Sequence, residues 1–390
     1  MHLSTSSEGG AGIAARRLHN GLKGLGIDSN FLSIYRKNST YHPFEMAVVR
    51  SPNTRLISAV IAWFNSILSS RTYFTIVSSS PLKAKNLFRF GSPSEIIFHV
   101  HNWFNLIELN EIEKALDKGY KFVFTLHDQR LFTGGCHYSL DCIQFTSSCA
   151  SCPLLPSVFK CMPSKNLNAS KKILRKYRGQ IEIIAPSQWI KTLAGTSSAL
   201  KANSITWIPN WHGSFEQEMH SEGTNKSSQR KTVLIGIAST SKKSNIKGRE
   251  IILSLESLIR KNNADIKIIY LADFKTKEKQ VNSFWGTIDY LLVPSIMDNS
   301  PNVIHEAKIF GVPVIATAVG GIGELLNRDY DHLVSLNVDT PNLIWSIVKN
   351  LKTPISKEIK DAIKFDYTSN QSEILIQYSD IYKKLSAQVI

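Results

Sequence analysis

Short apolar runs alternate with segments of helical periodicity along most of the chain, and this alternation constrains the fold more than any other feature. The runs are nearly continuous in apolar residues, as expected of strands that are covered on both faces. Helical segments between such strands imply βαβ crossovers and therefore parallel sheets. The predicted strands are FLSIY (31–35), FTIVS (74–78), EIIFHV (95–100), KFVFTLH (121–127), IEIIAPS (181–187), ITWIPN (205–210), TVLIGIAS (232–239), IKIIYLA (266–272), YLLVPS (290–295), PVIAT (313–317) and HLVSL (332–336).

The length of 390 residues suits two domains of roughly 150–200 residues each. The polar stretch 212–231 lacks apolar periodicity and is rich in Ser, Gly and charge, so it is the predicted linker. We therefore predict a Rossmann-like domain over 1–211 and a second one over 232–365. A helical pattern within 366–390 predicts a C-terminal helix that crosses back to the first domain.

The charge balance indicates an anionic partner. The formal net charge is +15, while the 43% of hydrophobic and 20% of charged residues are ordinary for a soluble globular protein. An excess of Lys and Arg suits nucleic acid, anionic lipid headgroups or phosphorylated small molecules. The chain lacks any recognised nucleic-acid-binding motif, so we do not expect nucleic acid to be the partner.

Neither a membrane span nor a secretory signal is expected. The longest apolar stretch, LISAVIAWFNSIL (56–68), is too short to cross a bilayer. The N-terminus MHLSTSSEGG has no basic region and no long apolar run. We therefore expect a cytoplasmic protein whose five cysteines are reduced.

The stretch VPSIMDNSPNVIHEAKIFGVPVIATAVGGIGELL (293–326) is the most informative part of the sequence. A predicted strand ends at Ser295, and the loop after it carries Asp298 and Asn299. Ligands of open α/β sheets bind outside the carboxyl ends of strands, so this loop lies where a ligand is expected. Pro301 suits the first position of the next helix. The free N–H groups of that helix are a predicted phosphate site, namely those of Asn302, Val303 and Ile304.

Three further features of the second half suit a ligand site. Glu306 follows in the first turns of the same helix and can accept hydrogen bonds from sugar hydroxyls. A second strand ends at Gly320–Gly321, where absent side chains let a ligand approach the backbone. The segment STSKKSNIKGREIIL (239–253) leads from a strand through a Lys-rich loop into a helix, and it contains Lys247.

This constellation resembles the donor site of retaining GT-B glycosyltransferases of the family-4 type. Asp298 and Glu306 have the spacing of that family's acidic pair, with DN-x-PN between them, and GVPVIATAVGGIGEL follows. The resemblance implies a fold of two Rossmann-like domains whose parallel sheets face an interdomain cleft. It implies that Glu306 holds the ribose of the nucleotide and that Asp298, with the backbone after it, holds hydroxyls of the transferred sugar. The first acid of the family is more often Glu, and Asp298 has a shorter reach.

The resemblance extends to Lys247–Gly248, which matches the family's "KG" pair. It implies that Lys247 neutralises the leaving diphosphate, so that no metal or other cofactor is needed for the chemistry. The family's Arg a few residues earlier has no counterpart here. Lys242 and Lys243 are the candidates to replace it, with a point charge instead of a bidentate fork.

In the first half, STSSEGGAGIAARRLHNGLKGLGI (4–27) resembles the family's N-terminal glycine loop, which makes Gly10 a predicted donor contact. The segment lacks the G-x-G-x-x-G spacing of a dinucleotide site. HVHNWF (99–104) and TLHDQR (125–130) each carry a histidine at the end of a predicted strand. By resemblance, His127 is the active-site histidine, and His101 and Asp128 are candidates for acceptor contacts.

Four cysteines lie close together within a predicted Cys-rich insertion over 134–163. Their spacing is C-x5-C-x6-C-x2-C, and the last pair is a common half of a structural zinc site. A similar cluster occurs in a subset of polysaccharide glycosyltransferases with TGGCHY-like segments. A structural zinc is therefore a candidate, with reduced free thiols as the alternative. The predicted ligands are Cys136, Cys142, Cys149 and Cys152.

Two basic segments suggest contact with an anionic membrane. KKILRKYRG (171–179) clusters basic charge, and NTRLISAVIAWFNSILSSR (53–71) is an apolar segment flanked by arginines. Together they suit the inner face of the cell membrane, near a lipid-linked acceptor. A buried interhelical face is the alternative for the second segment.

The resemblance implies transfer, with retention, from a nucleoside diphosphate sugar to a saccharide or lipid-linked saccharide acceptor in bacterial-type surface polysaccharide synthesis. The region 273–290, where the family contacts the base, is shorter than usual. A non-catalytic saccharide-binding or partner subunit therefore stays open as an alternative. A GT-B-fold sugar-nucleotide epimerase is the other, since it needs no acceptor site.

Overall fold

A computed structural model describes residues 1–34, 45–48, 52–68, 74–75, 78–213, 231–238, 245–274, 278–351, 354–368 and 371–387. The chain divides into two compact units. Unit 1 comprises Met1–Trp211 with Glu373–Ile390, and unit 2 comprises His212–Ser372. Among the described helices, none combines the length and the apolar character that a membrane crossing requires.

Unit 1 is built on a parallel sheet that has seven strands in the described part of the chain. They are β1 (His2–Ser4), β2 (Phe31–Ile34), β3 (Glu45–Val48), β4 (Ile97–Asn102), β5 (Lys121–Thr125), β6 (Ile181–Ala185) and β7 (Ile205–Trp207). Their spatial order is β3-β2-β1-β4-β5-β6-β7. The order reverses between β1 and β4, and the carboxyl ends of strands at such a reversal form the usual ligand crevice of an open α/β sheet.

The helices of this unit connect the strands and cover the sheet. They are α1 (Gly9–Gly24), α2 (Pro52–Leu68), α3 (Ala84–Leu87), α4 (Leu109–Leu116), α5 (Met162–Lys176) and α6 (Gln188–Thr196). Both faces of β4 and β5 are buried, with Phe98, Phe122 and Val123 fully inaccessible. Burial on two sides explains why these strands are nearly continuous apolar runs.

Unit 2 repeats the architecture on a smaller parallel sheet of five described strands. The strands are β8 (Val233–Ile237), β9 (Ile266–Tyr270), β10 (Tyr290–Val293), β11 (Val314–Thr317) and β12 (His332–Val334). The helices are α7 (Arg249–Lys261), α8 (Glu278–Thr287), α9 (Asn302–Ile309), α10 (Thr340–Val348) and α11 (Lys357–Thr368). The spatial order β12-β11-β10-β8-β9 reverses between β8 and β10, so the loops after these two strands flank the expected crevice.

The last helix, α12 (Gln371–Ala387), packs in unit 1 although the preceding helices lie in unit 2. Its buried side chains form one cluster with Leu18 and Leu22 of α1 and Ile184 of β6. The chain thus returns to its first unit at its C-terminal end.

The predicted α/β fold with two parallel sheets is confirmed. The predicted strand 74–78 is wrong in its described residues, because Phe74 forms an isolated antiparallel bridge with Cys136 and packs in a small side cluster. Ile76 and Val77 lie outside the described residues. The edge strand β3 was not predicted, since Met46, Ala47 and Val48 are only half-buried and lack the long apolar run of a central strand.

Candidate functional site

The loops after β8 and β10 are joined in unit 2 by an ion pair between Lys247 and Asp298. Lys247 ends a 3₁₀ turn over Asn245–Lys247, directly before α7. The Lys247 side chain is 40% exposed and that of Asp298 only 8%. The topology therefore brings together Lys247, the residue predicted to bind the diphosphate, and Asp298, the residue predicted to bind the sugar. The Lys247 ammonium lies on the solvent side of the pair.

Two glycines with positive φ allow these loops to approach so closely. Gly248 has φ +78°, and a Cβ there would lie 1.8 Å from the carbonyl oxygen of Pro294. Gly320 has φ +58°, and a Cβ there would lie 1.7 Å from the carbonyl oxygen of Asp298. Both positions require glycine for backbone conformation and for space.

Backbone hydrogen bonds fix the loop that carries Asp298. The N–H of Gly321 donates to the carbonyl oxygen of Asp298 at 3.2 Å, and the N–H of Asn299 donates to its carboxylate at 3.0 Å. The buried hydroxyl of Thr317 donates to the carbonyl oxygen of Ser295 at 2.5 Å. Asn299 itself is buried, so it helps to shape the loop from within.

The start of α9 differs from the prediction in two ways. Pro301 caps the helix in an extended conformation, and the helix begins at Asn302. The N–H of Ile304 donates to the carbonyl oxygen of Pro301 at 3.0 Å, so the predicted free donor at Ile304 is wrong. A tight first turn consumes this N–H, whereas the phosphate contacts of Asn302 and Val303 stay predictions.

Glu306 is half-buried in α9. Next to it, His305 is buried and its ring stacks on that of His212 with centroids 3.7 Å apart. The two ring nitrogens of His305 pair with the hydroxyls of Ser300 and Tyr367. No pattern in the sequence points to this histidine, which ties the first turns of α9, where Glu306 lies, to Ser300 and Tyr367. The predicted basic residues Lys242 and Lys243 lie outside the described residues.

In unit 1, a small pocket lies at the carboxyl ends of β4 and β5, and His127 lines it. The sugar contact of His127 stays a prediction. The ring is half-buried, and its Nε2 lies 3.0 Å from Nδ1 of His101. Burial lowers the pKa of His127 to about 4, against the opposing charge of Asp128. The imidazole is therefore neutral at neutral pH, and it can offer hydrogen bonds but no positive charge.

The predicted direct acceptor contact of His101 is not supported by its hydrogen bonds. Its ring is buried and both ring nitrogens are engaged, Nε2 with His2 at 2.9 Å and Nδ1 with His127 at 3.0 Å. A saturated imidazole has no ring nitrogen left for a hydroxyl. His101 therefore reaches a ligand only through His127.

The carboxylate of Asp128 likewise already has a partner. It accepts hydrogen bonds from the backbone N–H and from the guanidinium of Arg130. Burial favours a higher pKa for Asp128, but the charge and hydrogen bonds of Arg130 hold it below its usual value. Arg130 also donates to Asn102 at 2.9 Å and lies over the ring of Phe104. Sequence reasoning missed Arg130, although the D-x-R spacing in TLHDQR was the signal that could have found it.

Gly10 lies in the first turn of α1 and is exposed. A Cβ at Gly10 would meet nothing within 4 Å, whereas one at Gly12 would lie 2.1 Å from the carbonyl oxygen of Ser6. Packing therefore explains Gly12 but not Gly10. A glycine at a helix start that packing does not require is expected where a ligand approaches the backbone.

The four cysteines do not converge as a metal site does. Within the described residues, three side chains place possible metal-ligand atoms within 4.8 Å of one another. They are His2, His99 and His101, and no cysteine is among them. Cys136 and Cys152 pack in a small side cluster, while Cys149 belongs to the main core. Burial raises the pKa of Cys149 to about 11, and Cys142 and Cys152 add to the shift. Zinc stays a prediction, which elemental analysis of the purified protein tests.

The architecture defines the fold. Two parallel α/β units of this kind are the GT-B fold of glycosyltransferases, and solved structures of such enzymes cover nearly the whole chain. Sucrose-phosphate synthase from Thermosynechococcus elongatus matches with a TM-score of 0.60 and 14% identity over 99% of this chain and 98% of its own. Anabaena HepE in complex with UDP and glucose matches with a TM-score of 0.60 and 14% identity, over 98% of each chain.

Sequence comparison narrows the class further. Residues 235–352 match the family described as glycosyl transferases group 1, so the chain carries a glycosyl transferase group 1 domain in unit 2. WcaC from Escherichia coli (strain K12), whose name describes a colanic acid biosynthesis glycosyl transferase, is 24% identical over 412 residues. That alignment covers 97% of this chain and 98% of WcaC.

Proposed function

We propose that the protein is a retaining glycosyltransferase of the family-4 type in surface polysaccharide synthesis. It transfers a sugar from a nucleoside diphosphate sugar to a saccharide or lipid-linked saccharide acceptor. The name of WcaC supports the pathway class. The complexes of HepE with UDP and with UDP-glucose support a nucleotide sugar as donor.

The contact between Lys247 and Asp298 is the observation that carries the proposal. It joins the loops after β8 and β10, where the strand order reverses. In the proposed complex, the diphosphate takes the exposed ammonium of Lys247 as its counter-charge. The amides of Asn302 and Val303 add hydrogen-bond donors, and Glu306 accepts from the ribose hydroxyls.

The proposed chemistry needs a stabilised leaving group. As the bond between the anomeric carbon and the diphosphate breaks, negative charge grows on the diphosphate and positive charge on the sugar. A lysine held beside the leaving group lowers the barrier because its charge is already oriented. Asp298, freed when the diphosphate draws Lys247 away, is then available to sugar hydroxyls. Because Lys247 and the helix amides supply this stabilisation, we propose a reaction that needs no catalytic metal.

The test is turnover of UDP-, GDP- and dTDP-sugars by the purified protein, with and without oligosaccharide acceptors. Nucleotide release that depends on acceptor supports a transferase. A product still joined to nucleotide would identify an epimerase, and binding without turnover would identify a saccharide-binding subunit.

Glu306→Gln is the matched variant for the ribose contact. Loss of a hydrogen bond to a carboxylate costs roughly 1.5–3 kcal/mol, which corresponds to a rise of about 10–150-fold in the donor KM. Glu358→Gln, on the exposed start of α11, is the control. An unchanged donor KM in Glu306→Gln contradicts the assignment.

We also propose that unit 1 docks on an anionic membrane surface through α2. One face of this helix bears exposed apolar side chains at helical spacing, with Leu56 68%, Val60 54% and Ile67 60% exposed. At the edge of this face, Phe64 packs against Phe159 with ring centroids 6.0 Å apart. An exposed apolar stripe of this kind is typical of an interaction surface.

The charge around this helix favours lipid as the partner. No Asp or Glu occurs between Glu45 and Glu95, or between Asp141 and Glu182. The basic residues of these two stretches are Arg50, Arg55, Arg71, Lys83, Lys85, Arg89, Lys160, Lys165, Lys171, Lys172, Arg175, Lys176 and Arg178. Lys172 and Lys176 pair with Glu113 and Asp117, so part of this charge already has acidic partners. An apolar helix flanked in sequence by basic residues is the pattern of an interfacial membrane helix.

Co-sedimentation with vesicles tests this docking. The protein should pellet with phosphatidylglycerol-containing vesicles, less so at high salt, and not with phosphatidylcholine alone. The double variant Leu56→Glu with Val60→Glu should lose pelleting. Leu253→Glu, at an exposed leucine of unit 2, should keep it. Pelleting that ignores lipid charge, or survives the double variant, contradicts the proposal.

A further inference from the structure

Three imidazoles are hydrogen-bonded in series beneath the pocket of unit 1. Nδ1 of His2 lies 2.9 Å from Nε2 of His101, and Nδ1 of His101 lies 3.0 Å from Nε2 of His127. His2 and His101 are buried, at 2% and 5% exposure, and His127 is half-buried at the pocket. The series runs from the first residue of β1 through β4 to the residues just after β5.

A neutral imidazole carries one hydrogen, so one of its nitrogens donates and the other accepts. Burial lowers the pKa values of all three rings, which keeps them neutral near pH 7. Each N···N contact needs one shared hydrogen. The tautomer of one ring therefore dictates the tautomer of the next, and the series has two self-consistent states.

In the first state, His127 donates through Nε2, His101 donates to His2, and Nδ1 of His127 is a bare acceptor. The hydrogen on His2 then sits on Nε2, which has no hydrogen-bond partner in the described residues. In the second state, His2 donates through Nδ1 and His101 donates to His127. His127 then carries its hydrogen on Nδ1. In the second state, Nε2 of His2 is an acceptor without a hydrogen. On a ring that is only 2% exposed, an acceptor without a protein partner is tolerated better than an N–H without one, so the second state is favoured.

We propose that His2 and His101 are positioning residues that hold His127 in its Nδ1–H tautomer, so that the pocket is offered a hydrogen-bond donor. No described residue pairs with Nδ1 of His127. This nitrogen is therefore the one left for a ligand. The partner of this nitrogen is then an oxygen of the sugar or of the acceptor, which rests on the proposed function. The tautomer of His127 does not depend on that function.

His99 completes the support of the series without joining it. Its ring lies against that of His101 with centroids 4.0 Å apart. Its nitrogens pair with the hydroxyls of Tyr382 and Thr125, each at 2.7 Å. Because the ring nitrogens of His99 and His101 already have partners, the hydrogen-bonded arrangement accounts for the cluster of His2, His99 and His101 without a metal ion between them.

The experiment is nitrogen-15 NMR of protein labelled at histidine, with long-range couplings that identify the protonated ring nitrogen. His127→Gln assigns the His127 signals. In the wild type, we expect a protonated Nδ1 and a bare Nε2. His101→Leu removes the donor to Nε2, so the hydrogen should move to Nε2, whereas His101→Gln supplies an amide donor and should keep it on Nδ1. His19→Leu is the control, since its ring is buried nearby but bonds Ser29.

Three results would overturn the proposal: a wild-type His127 protonated on Nε2, an unchanged His127 tautomer in His101→Leu, or one equivalent of bound zinc that His99→Leu abolishes. The wild-type spectrum decides even where His101→Leu does not fold. Activity gives a separate readout, because one misplaced hydrogen bond lowers turnover about tenfold. We expect that loss in His101→Leu and its recovery in His101→Gln. Absence of all turnover with the expected tautomer would count against the proposed function alone.

Discussion

At the scale of single residues, Gly320 is a position where the fold tolerates little change. A side chain at its φ of +58° costs about 1–2 kcal/mol in backbone energy, before any clash. Its Cβ would also lie 1.7 Å from the carbonyl oxygen of Asp298 and must displace that loop. We expect Gly320→Ala to lower the thermal unfolding temperature of unit 2 and to weaken binding of a nucleoside diphosphate, measured by calorimetry.

Gly323→Ala is the matched control, because its Cβ would meet only Leu333 at an ordinary 3.5 Å. We expect the control to unfold and to bind like the wild type. Equal effects of the two substitutions would show that the close approach at Gly320 does not matter.

A buried ion pair between Lys308 and Asp331 is a second sensitive point of unit 2. The side chains are 4% and 0% exposed, and the second oxygen of Asp331 accepts the N–H of Val314 at 2.8 Å. Burial lowers the pKa of Lys308, against the opposing charge of Asp331. Lys308→Ala leaves a buried carboxylate unpaired, which should lower the free energy of unfolding by about 3–5 kcal/mol in urea titrations.

The exposed pair of Lys364 and Asp361 provides the comparison, with an N···O distance of 3.9 Å. Lys364→Ala should leave the urea midpoint nearly unchanged, since solvent already screens that pair. A small effect of Lys308→Ala as well would mean that water enters the site.

Polar residues at strand ends could be predicted from the sequence, but their partners could not. The topology rule placed Lys247, Asp298 and His127 at carboxyl ends of strands, and the structure has them there. Both ring nitrogens of His101 are hydrogen-bonded to other imidazoles. The bond to His2 depends on the pairing of β1 with β4, which are far apart in sequence. The same holds for Asp128, because neither the pattern nor the spacing reveals how many of its oxygens Arg130 takes.

At the scale of elements, α12 illustrates how periodicity predicts burial. Tyr378 and Leu385 are buried on one face, whereas Ile376 is 53% exposed on the other. Leu385→Ala should lower the free energy of unfolding of unit 1 by about 2–5 kcal/mol, because it opens a cavity in the cluster beneath the helix. Ile376→Ala removes as much apolar volume from the surface and should change it little, as urea titrations of both variants will measure. A similar loss in both would contradict the packing of this helix.

The apolar pattern predicted helices and strands correctly where an element packs into a main core. It was wrong or silent for segments that lie outside the main cores. The central strands β4, β5 and β10 have continuous apolar runs, so their pattern is unambiguous. Phe74 is just as buried, but in a side cluster with Leu155, and an apolar run does not distinguish these two environments. The helix start at Asn302 instead of Pro301 reflects the usual uncertainty of one residue at a cap.

At the scale of the whole molecule, the sequence predicted two α/β units because two sets of apolar runs are separated by one long polar stretch. Most of that stretch, 214–230, lies outside the described residues. The spatial order of strands could not be predicted from the runs, since any order preserves the pattern. The strand order decides which strand ends become neighbours, and it depends on contacts between residues far apart in the chain.

The stability of the molecule should fall steeply in mild acid because unit 1 buries neutral histidines. Burial lowers the pKa values of His19, His127 and His137 from 6.5 to about 4. It also lowers those of His2, His99 and His101 well below 6.5. Between pH 6.5 and about 4, the unfolded chain binds protons that the folded chain does not, so stability rises with pH across this window and is lost on acidification.

Each such histidine contributes up to about 1.4 kcal/mol per pH unit inside the window. Urea midpoints measured from pH 8 to 4 should therefore be level above pH 7 and drop increasingly below 6.5, with His19→Gln reducing the slope by up to one proton. A level profile down to pH 5 would mean that these rings are already charged in the folded protein. Charged rings could not share single hydrogens in series, so the same titration also bears on the tautomer of His127 and on what the pocket offers its ligand.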